Sequence, residues 1–512
     1  MSPTQPKYQT TTVSIEGYTR TKYIYIPLRD GTNLCANLFL PLSASKEGQK
    51  VPVICSLGPY GKDEHAATFG LPRTPIYAEM YKQISPLGPD AVFELCKPLI
   101  WCREYGYALL RPWSSGRVAF SGISYYGMVG YWAAMQKPPH LTCVMSYESR
   151  CNMYHAARKK GGGVVYSYNF QSHWFNNIVL PYQAGKQDGS LTEQQLVANR
   201  VDYPQLLSTT EYPDEGDIEV PFYLAGNWSD PELHLAGNVR AFKGFASECK
   251  WLEMHTGNHL AAFYEPGYIA MQRKFLDYFL LDKKENGMLD VPQTFYRVAE
   301  IAFPPPDAED TIFYLTPEQT LSSKNPANTT RTAFKTKGDG PESTNLHLPL
   351  DNPFTESFEL LGSPYLDLEV STTAEDLDLF IYLRALDATG NPIILTGNHG
   401  EPMDSFARGF FRLSHRDFPS VPRSEVVRGE VYMVLVPLYP AALLFDGGQS
   451  VGLKIGHVNT PVTIPPMRHE SGDRTAERLE RGEGYSDYNL EHSPRGATLQ
   501  LQAYSVNAAY IQ

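Results

Sequence analysis

The stretch Gly122-Ile123-Ser124-Tyr125-Tyr126-Gly127 decides the fold, because a predicted strand precedes it and a predicted helix follows it. Residues 117–120 are typical of a buried strand, and residues 128–135 carry apolar side chains at nearly every helical position. A serine on such a tight turn has its hydroxyl pushed out of the sheet, with the N–H groups of the helix behind it. The pattern predicts that Ser124 is a nucleophile, although an ordinary Gly-Ser turn would give the same letters.

The rest of the chain shows two different patterns of apolar and turn-forming residues. Through about residue 300, apolar strand-like runs alternate with helical ones, which indicates an α/β sheet. Residues 151–213 interrupt this alternation with an aromatic-rich and then polar, helical stretch, which predicts a helical insertion; its aromatic residues could form its own core or contact a substrate. After residue 291 the chain has short strands and Pro/Gly turns, which predicts an all-β sandwich. We therefore expect domains at residues 15–295 and 296–512.

Several motifs occur in the order found in one hydrolase family. They are Arg29-Asp30-Gly31-Thr32, Gly58-Pro59-Tyr60-Gly61-Lys62, Trp113-Ser114-Ser115-Gly116-Arg117-Val118, the serine turn itself, and Pro138-Pro139-His140-Leu141. From about residue 15 to the C-terminus the chain resembles the X-Pro dipeptidyl-peptidase and cocaine-esterase-like (CocE/NonD) serine hydrolases, whose serine turn is Gly-x-Ser-Tyr-x-Gly. The resemblance implies an α/β-hydrolase fold, mostly parallel with helices on both faces, a cap at residues 151–213, and a C-terminal jelly roll.

A serine nucleophile needs a base and a group that orients the base. In α/β-hydrolases these follow the serine in the order acid, histidine, each beyond a strand end. Strand-like residues 222–225 lead to Asn227-Trp228-Ser229-Asp230, similar to the family's Gly-Gly-Trp-x-Asp, which implies that Asp230 is the acid. Asp230-Pro231 could instead be only a helix N-cap.

Two histidines follow the next predicted strand, residues 251–254. We choose His259 as the general base because it lies past Gly257, clear of the strand. His255 is more typical of a strand-end residue that packs against the core. For the oxyanion, the backbone N–H of Tyr125 is one predicted donor, and the resemblance implies the Tyr60 hydroxyl as the other, although Pro-Tyr-Gly is also an ordinary turn.

Composition limits the partners. The net charge of −12 and the absence of a basic patch argue against nucleic acid or an anionic membrane. Seven cysteines without a Cys-x-x-Cys pair indicate reduced thiols and neither a disulfide framework nor a zinc site. With no signal-peptide or membrane-span pattern in the sequence, we expect a cytoplasmic protein without a metal or organic cofactor. The sequence leaves a homo-oligomer open.

One connection is unexpectedly short. Residues 105–111 predict a parallel strand, and only residues 112–116 separate it from the strand before the serine. The two strands should flank a third, so the chain must return along roughly 17–20 Å of strand, whereas five extended residues reach about 17 Å. A parallel crossover usually takes a dozen residues or more, so we expect an internal loss of about forty residues near Pro112 that impairs activity.

These observations predict a serine hydrolase that cleaves an ester or amide of a small acyl or aminoacyl compound through an acyl-enzyme. The alternative is a catalytically inactive relative that acts as a binding or interaction module. The sequence does not distinguish among an ester, an amide and an aminoacyl-proline peptide as substrate.

Overall fold

The computed structural model of the chain describes residues 8–47, 49–67, 88–109, 114–151, 164–166, 215–231, 233–296, 309–325, 330–334, 346–373, 376–398, 400–417, 424–456, 469–471, 488–492 and 498–504. Its first part is built on a ten-stranded sheet. The strands of this part are β1 Thr11–Ile15, β2 Tyr18–Pro27, β3 Asn33–Pro41, β4 Val51–Cys55, β5 Ala108–Leu109, β6 Ser114–Ile123, β7 Leu141–Tyr147, β8 Val164–Tyr166, β9 Phe222–Asn227, β10 Lys250–His255 and β11 Thr294–Tyr296.

The strand order of the large sheet is β1-β2-β3-β5-β4-β6-β7-β9-β10-β11. The strands from β5 to β11 in this order pair in parallel, whereas β1, β2 and β3 form an antiparallel edge. The helices are α1 Leu42–Glu47, α2 Ser124–Met135, α3 Leu235–Gly244, α4 Ala261–Tyr264 and α5 Pro266–Leu280, with a π-helical turn at Leu99–Glu104 and 3-10 turns at Glu215–Asp217 and Leu413–His415.

Helices cover both faces of the parallel strands. Along β9, Phe222 and Leu224 pack in a cluster with Val239 of α3, and Tyr223 packs in another cluster with Phe275 of α5. Successive residues of a strand point to opposite faces, so a strand buried on both sides is mostly apolar, as β9 is before its last residue, Asn227. The predicted parallel sheet with helices on both faces is confirmed.

The strands β5 and β6 flank β4, as the sequence predicted, and the described part of β5 is Ala108–Leu109. Only two residues pair, Ala108 with Val53 and Leu109 with Ile54. On the other side, β6 begins at Ser114 and its register against β4 shifts by a bulge before Val118. Both strands lie in the sheet, one on each side of β4. The link at residues 110–113 lies outside the described residues.

The C-terminal part is all-β. Its strands are β12 Glu309–Leu315, β13 Leu321–Ser322, β14 Thr330–Phe334, β15 Leu346–Pro349, β16 Phe358–Gly362, β17 Tyr365–Thr372, β18 Asp378–Leu386, β19 Leu395–Thr396, β20 Pro402–Met403, β21 Ala407–Arg412, β22 Tyr432–Pro437, β23 Ala441–Phe445, β24 Ser450–Gly456, β25 His469–Ser471, β26 Tyr488–His492 and β27 Thr498–Tyr504. A nine-stranded sheet around β17 and the four-stranded sheet β15-β24-β18-β21 share one core, in which Leu366 and Leu368 meet Ile381 and Leu453.

Two short strand pairs lie apart from the larger sheets. The strand pairs β19–β20 and β25–β8 form separate two-stranded sheets. Of the helical cap predicted at residues 151–213, only Cys151 and the strand β8 are described, and the rest of that prediction lies outside the described residues. No helix in the described part of the chain combines the length and apolar character that crossing a membrane requires.

The residue before β5 anchors that short strand to α5, and this predicts a stability effect. The buried Tyr107 hydroxyl donates to the Asp277 carboxylate. Tyr107→Phe should lower the free energy of unfolding by about 1–3 kcal/mol, because the carboxylate loses a buried donor. Urea unfolding measures the change, and Tyr278→Phe on the same helix is the control, expected to change stability by less than about 0.5 kcal/mol. Equal stability of the two variants would contradict the anchoring role.

Candidate active site

Ser124 lies at the turn between β6 and α2, where the strand ends and the helix begins at successive residues. Its φ is +53°, in the left-handed region that residues other than glycine seldom adopt. Ser124 N donates to the Glu148 carbonyl (3.1 Å), and Ile123 N donates to the Glu94 carbonyl (3.2 Å). The candidate nucleophile is therefore held in a strained conformation on a sharp strand-to-helix turn.

The two glycines that frame the motif are sterically required. A Cβ on Gly122 would lie 2.3 Å from Tyr126 Cβ, and a Cβ on Gly127 would lie 2.7 Å from Ser146 Oγ. Both distances are far below van der Waals contact, so any larger residue would push α2 away from the sheet. This explains why the Gly-x-Ser-x-x-Gly spacing predicted the local structure correctly.

His259 lies in the loop after β10, and both of its ring nitrogens face carboxylates. Nδ1 is 2.8 Å from Glu148 Oε2, and Nε2 is 3.1 Å from Glu94 Oε1. All three side chains are at most 5% exposed. The main chain of the histidine is also fixed, because its N–H donates to the carbonyl of Asn398 (2.9 Å). The imidazole is thus held between two acidic side chains in a dry environment.

The charge state of His259 follows from this geometry. Burial by itself lowers the pKa of the ring, but the charge and hydrogen bond of Glu148, followed by those of Glu94, outweigh it and hold the pKa well above its usual value. Burial raises the pKa of Glu94, and the hydrogen bond and charge of His259 oppose that rise. The two carboxylates therefore favour the imidazolium form of the ring, and this form must lose a proton before it can accept one from a serine.

Sequence reasoning missed both glutamates. Glu148 directly follows β7, the strand next to β6, so its place at the carboxyl end of a parallel strand was an available signal. Glu94 follows no strand, and nothing in the sequence pattern marks it. Like Ser124, both have positive φ values, +60° for Glu94 and +36° for Glu148. Backbone strain concentrated at one place is typical of functional sites.

Asp230 follows β9, as predicted, and is buried. Its carboxylate accepts hydrogen bonds from Leu233 N (2.9 Å) and His234 N (3.1 Å), the capping contact that its Asp-Pro sequence allowed. Nδ1 of His259 contacts the carboxylate of Glu148, which the sequence did not predict. The turn that Asp230 caps also contacts the candidate base, His259. The His234 ring of this turn stacks on the His259 ring with centroids 5.5 Å apart.

His255 has the position predicted for it. It is the last residue of β10, it is buried, and its ring packs edge-on against Tyr268 with centroids 5.9 Å apart. Its Nε2 lies 3.5 Å from Glu148 Oε1, so His255 approaches the carboxylate from the side opposite to His259. It is a strand-end core residue that adds a polar neighbour to Glu148.

The two predicted oxyanion donors lie beside the serine turn. The buried Tyr60 ring packs against Tyr126 (centroids 5.6 Å apart) and Tyr125 (6.3 Å). The backbone N–H of Tyr125 is in the first turn of α2, where helical geometry provides no carbonyl partner within the helix. The structure therefore brings Tyr60 to the same turn as the serine.

This arrangement supplies the parts for nucleophilic acyl transfer: a serine at a helix N-terminus, an imidazole and a buried carboxylate. Within the described residues, no group of three or more His, Cys, Asp and Glu side chains is arranged to hold a metal ion.

Two protein-family models match consecutive parts of the chain. Residues 84–261 match the family described as X-Pro dipeptidyl-peptidase (S15 family), and residues 270–496 match the model described as X-Pro dipeptidyl-peptidase C-terminal non-catalytic domain. No curated protein matches the chain significantly.

Several solved structures share the fold over nearly the whole chain. A CocE/NonD family hydrolase from Staphylococcus aureus is 21% identical, with a TM-score of 0.80 over 98% of each chain. An aminopeptidase from a marine sediment archaeon of the Thaumarchaeota is 15% identical (TM-score 0.64, covering 96% of this chain and 97% of that one). An α-amino acid ester hydrolase is 14% identical (TM-score 0.64, covering 98% and 100%). At these identities the likeness establishes the fold.

The contact between Glu94 and His259 predicts how the ring titrates. Glu94→Gln should lower the pKa of His259, because the imidazolium then loses one of its two acidic neighbours while the side chain keeps its size. A ¹H NMR titration of the imidazole C2 proton measures the change. The exposed Glu104→Gln is the control and should leave the titration where it is. An unchanged His259 pKa in Glu94→Gln would show that this contact does not hold the proton.

Proposed function

Because this chain belongs to the family of X-Pro dipeptidyl-peptidase (S15) and CocE-like hydrolases, we propose that it is a serine hydrolase that cleaves an ester or an amide bond. The observation that carries the proposal is the conformation of Ser124, strained and held at the N-terminus of α2. A strained backbone needs a compensating reason, and a nucleophile held at the N-terminus of a helix is the one that this turn provides.

In the proposed reaction, Ser124 Oγ attacks the acyl carbonyl and its proton passes to Nε2 of His259. The imidazolium then gives that proton to the leaving alcohol or amine, and an acyl-serine ester remains. Water then attacks the acyl-serine and gives a proton to His259, and the imidazolium returns that proton to Ser124 Oγ as the acyl–oxygen bond breaks, so the acid product and the free enzyme are released. Before the first step, Nε2 must be deprotonated and must part from Glu94. We therefore expect activity to rise toward alkaline pH.

The oxyanion that forms on the acyl carbonyl needs donors in place before the reaction. We assign this role to the Tyr125 N–H and to the hydroxyl of Tyr60. The packing of the Tyr60 ring against Tyr125 and Tyr126 supports the assignment, because it ties the tyrosine to the serine turn.

Two carboxylates are candidates for orienting His259. We favour Glu148, since its Oε2 is 2.8 Å from Nδ1 and Asn227 also donates to its other oxygen (3.1 Å). Asp230, which the sequence and the family pattern favoured, is the alternative. It could take the role only if its contacts with Leu233 and His234 were exchanged for one with the ring.

For the substrate we propose a small acyl or aminoacyl ester or amide. Two of the proteins that share the fold are named as an aminopeptidase and an α-amino acid ester hydrolase. We expect no cofactor to take part, a helical cap from residues 151–213 over the site, and a jelly-roll topology for the C-terminal region.

A second candidate function, a non-catalytic binding module, is favoured by one observation. The last described residue of β5 is Leu109 and β6 begins at Ser114, although parallel crossovers usually take a dozen residues or more. A chain that has lost its crossover could keep the fold and lose the reaction. Stoichiometric labelling by a fluorophosphonate separates the two functions, because only an activated serine reacts.

Replacing the nucleophile tests the proposal directly. Ser124→Ala should abolish fluorophosphonate labelling and should slow hydrolysis of a p-nitrophenyl acyl ester by a factor of about 10⁴ or more. Ser14→Ala, in the exposed edge strand β1, is the control and should behave like the wild type. Labelling that persists in Ser124→Ala would exclude this serine.

A second pair of variants identifies the orienting acid. Glu148→Gln should reduce kcat by about 10³–10⁴-fold, because an amide cannot stabilise the imidazolium or fix its tautomer as a carboxylate does. Asp230→Asn should retain most of the activity, because asparagine caps a turn as well as aspartate does. Steady-state kinetics on the same ester measures both. A loss confined to Asp230→Asn would assign the role to Asp230.

A further inference from the structure

A residue of the C-terminal all-β region lies in the candidate active site. Asn398 belongs to the loop between β19 and β20, and it is only 2% exposed. The family model that covers this region is described as a non-catalytic domain. The position of Asn398 therefore raises the question of what this region contributes to the reaction.

Asn398 contacts three separate parts of the site. Its carbonyl accepts from the N–H of His259 (2.9 Å), and its own N–H donates to the carbonyl of Ser229 (2.8 Å). Its side-chain Nδ2 donates to Glu148 Oε2 at 3.4 Å. Only the NH₂ group can donate to a carboxylate, so this contact also fixes the orientation of the amide. The loops after β7, β9 and β10 are thus joined by one residue.

The side-chain contact bears on the base. Glu148 Oε2 accepts from both Nδ1 of His259 and Nδ2 of Asn398, so the amide competes with the imidazolium for the same oxygen. A donor on a carboxylate stabilises its negative charge and so reduces its pull on a neighbouring proton. The other titratable groups around the ring are Glu94 on Nε2, the stacked His234, and His255 on the far oxygen of Glu148.

We infer that Asn398 is a positioning residue for the His259–Glu148 pair, so that the all-β region completes the catalytic centre. Its main chain fixes the position of the loop that carries His259. Its side-chain amide donates to the Glu148 carboxylate that orients the ring, and so weakens the pull of that carboxylate on the ring proton. This inference rests on the proposed function for its kinetic consequences, but its effect on the His259 pKa does not.

Two substitutions test the role of the amide, since the main-chain contacts survive both. Asn398→Ala removes the donor, and we expect kcat for a p-nitrophenyl ester to fall about tenfold with KM within about twofold. Asn398→Asp keeps the shape but adds a second negative charge beside Glu148, and kcat should fall further. Asn391→Ala, an exposed asparagine between β18 and β19, is the control and should leave kcat unchanged.

The pH dependence of kcat/KM distinguishes a positioning role of Asn398 from a role that only stabilises the fold. In Asn398→Ala, Glu148 is left with a stronger pull on the imidazolium, so the acidic limb of kcat/KM should move to higher pH. In Asn398→Asp the acidic limb should move to a still higher pH. A residue that served only the fold would lower soluble yield or kcat without displacing the limb.

NMR titration of the His259 C2 proton measures the pKa of the ring directly, in the absence of substrate. The His259 pKa should rise in both variants, and more in Asn398→Asp, which keeps the shape of the native residue if Asn398→Ala fails to fold. An unchanged pKa and an unmoved limb in the folded variants would overturn the inference. A wild-type protein that shows no fluorophosphonate labelling but the expected NMR shifts would refute the proposed function and leave the positioning role standing.

Discussion

The contact of one histidine with two buried carboxylates is the interaction on which the rest of the site depends. Each carboxylate would be costly to bury alone, and an imidazolium between them offsets much of that cost. The main chains of the same two residues, Glu94 and Glu148, accept the N–H groups of Ile123 and Ser124. One pair of residues therefore fixes both the strained serine turn and the protonated ring.

Hydrogen bonds between loops also explain how the α/β sheet and the all-β region form one site. The parallel strands β6, β7, β9 and β10 end at the same edge of the sheet, so the loops that follow them meet there. Loops are mobile unless other groups hold them, and here hydrogen bonds from one loop end on the next. Within the described residues, the all-β region contributes Asn398, whose main chain hydrogen-bonds to the loops after β9 and β10.

The sequence predicted the parts of the site that local rules determine. The Ser124 turn followed from steric requirements at Gly122 and Gly127, and the choice of His259 over His255 rested on which one lay clear of the strand. The fold class followed from alternating apolar patterns. What the sequence did not reveal depends on tertiary distance: Glu94 and Asn398 reach the histidine from segments with no local signature.

The pairing of β8 with β25 has a consequence for how the protein is made. Tyr166 pairs with His469, so about 300 residues must be synthesised after the first strand before its partner exists. At ribosomal rates of about 5–20 residues per second, this takes about 15–60 s. During that interval the edge of β8 that β25 will pair with lacks this partner, and an unpaired strand edge is one that another nascent chain can occupy. The length of the interval is therefore set by translation and not by the stability of the finished fold.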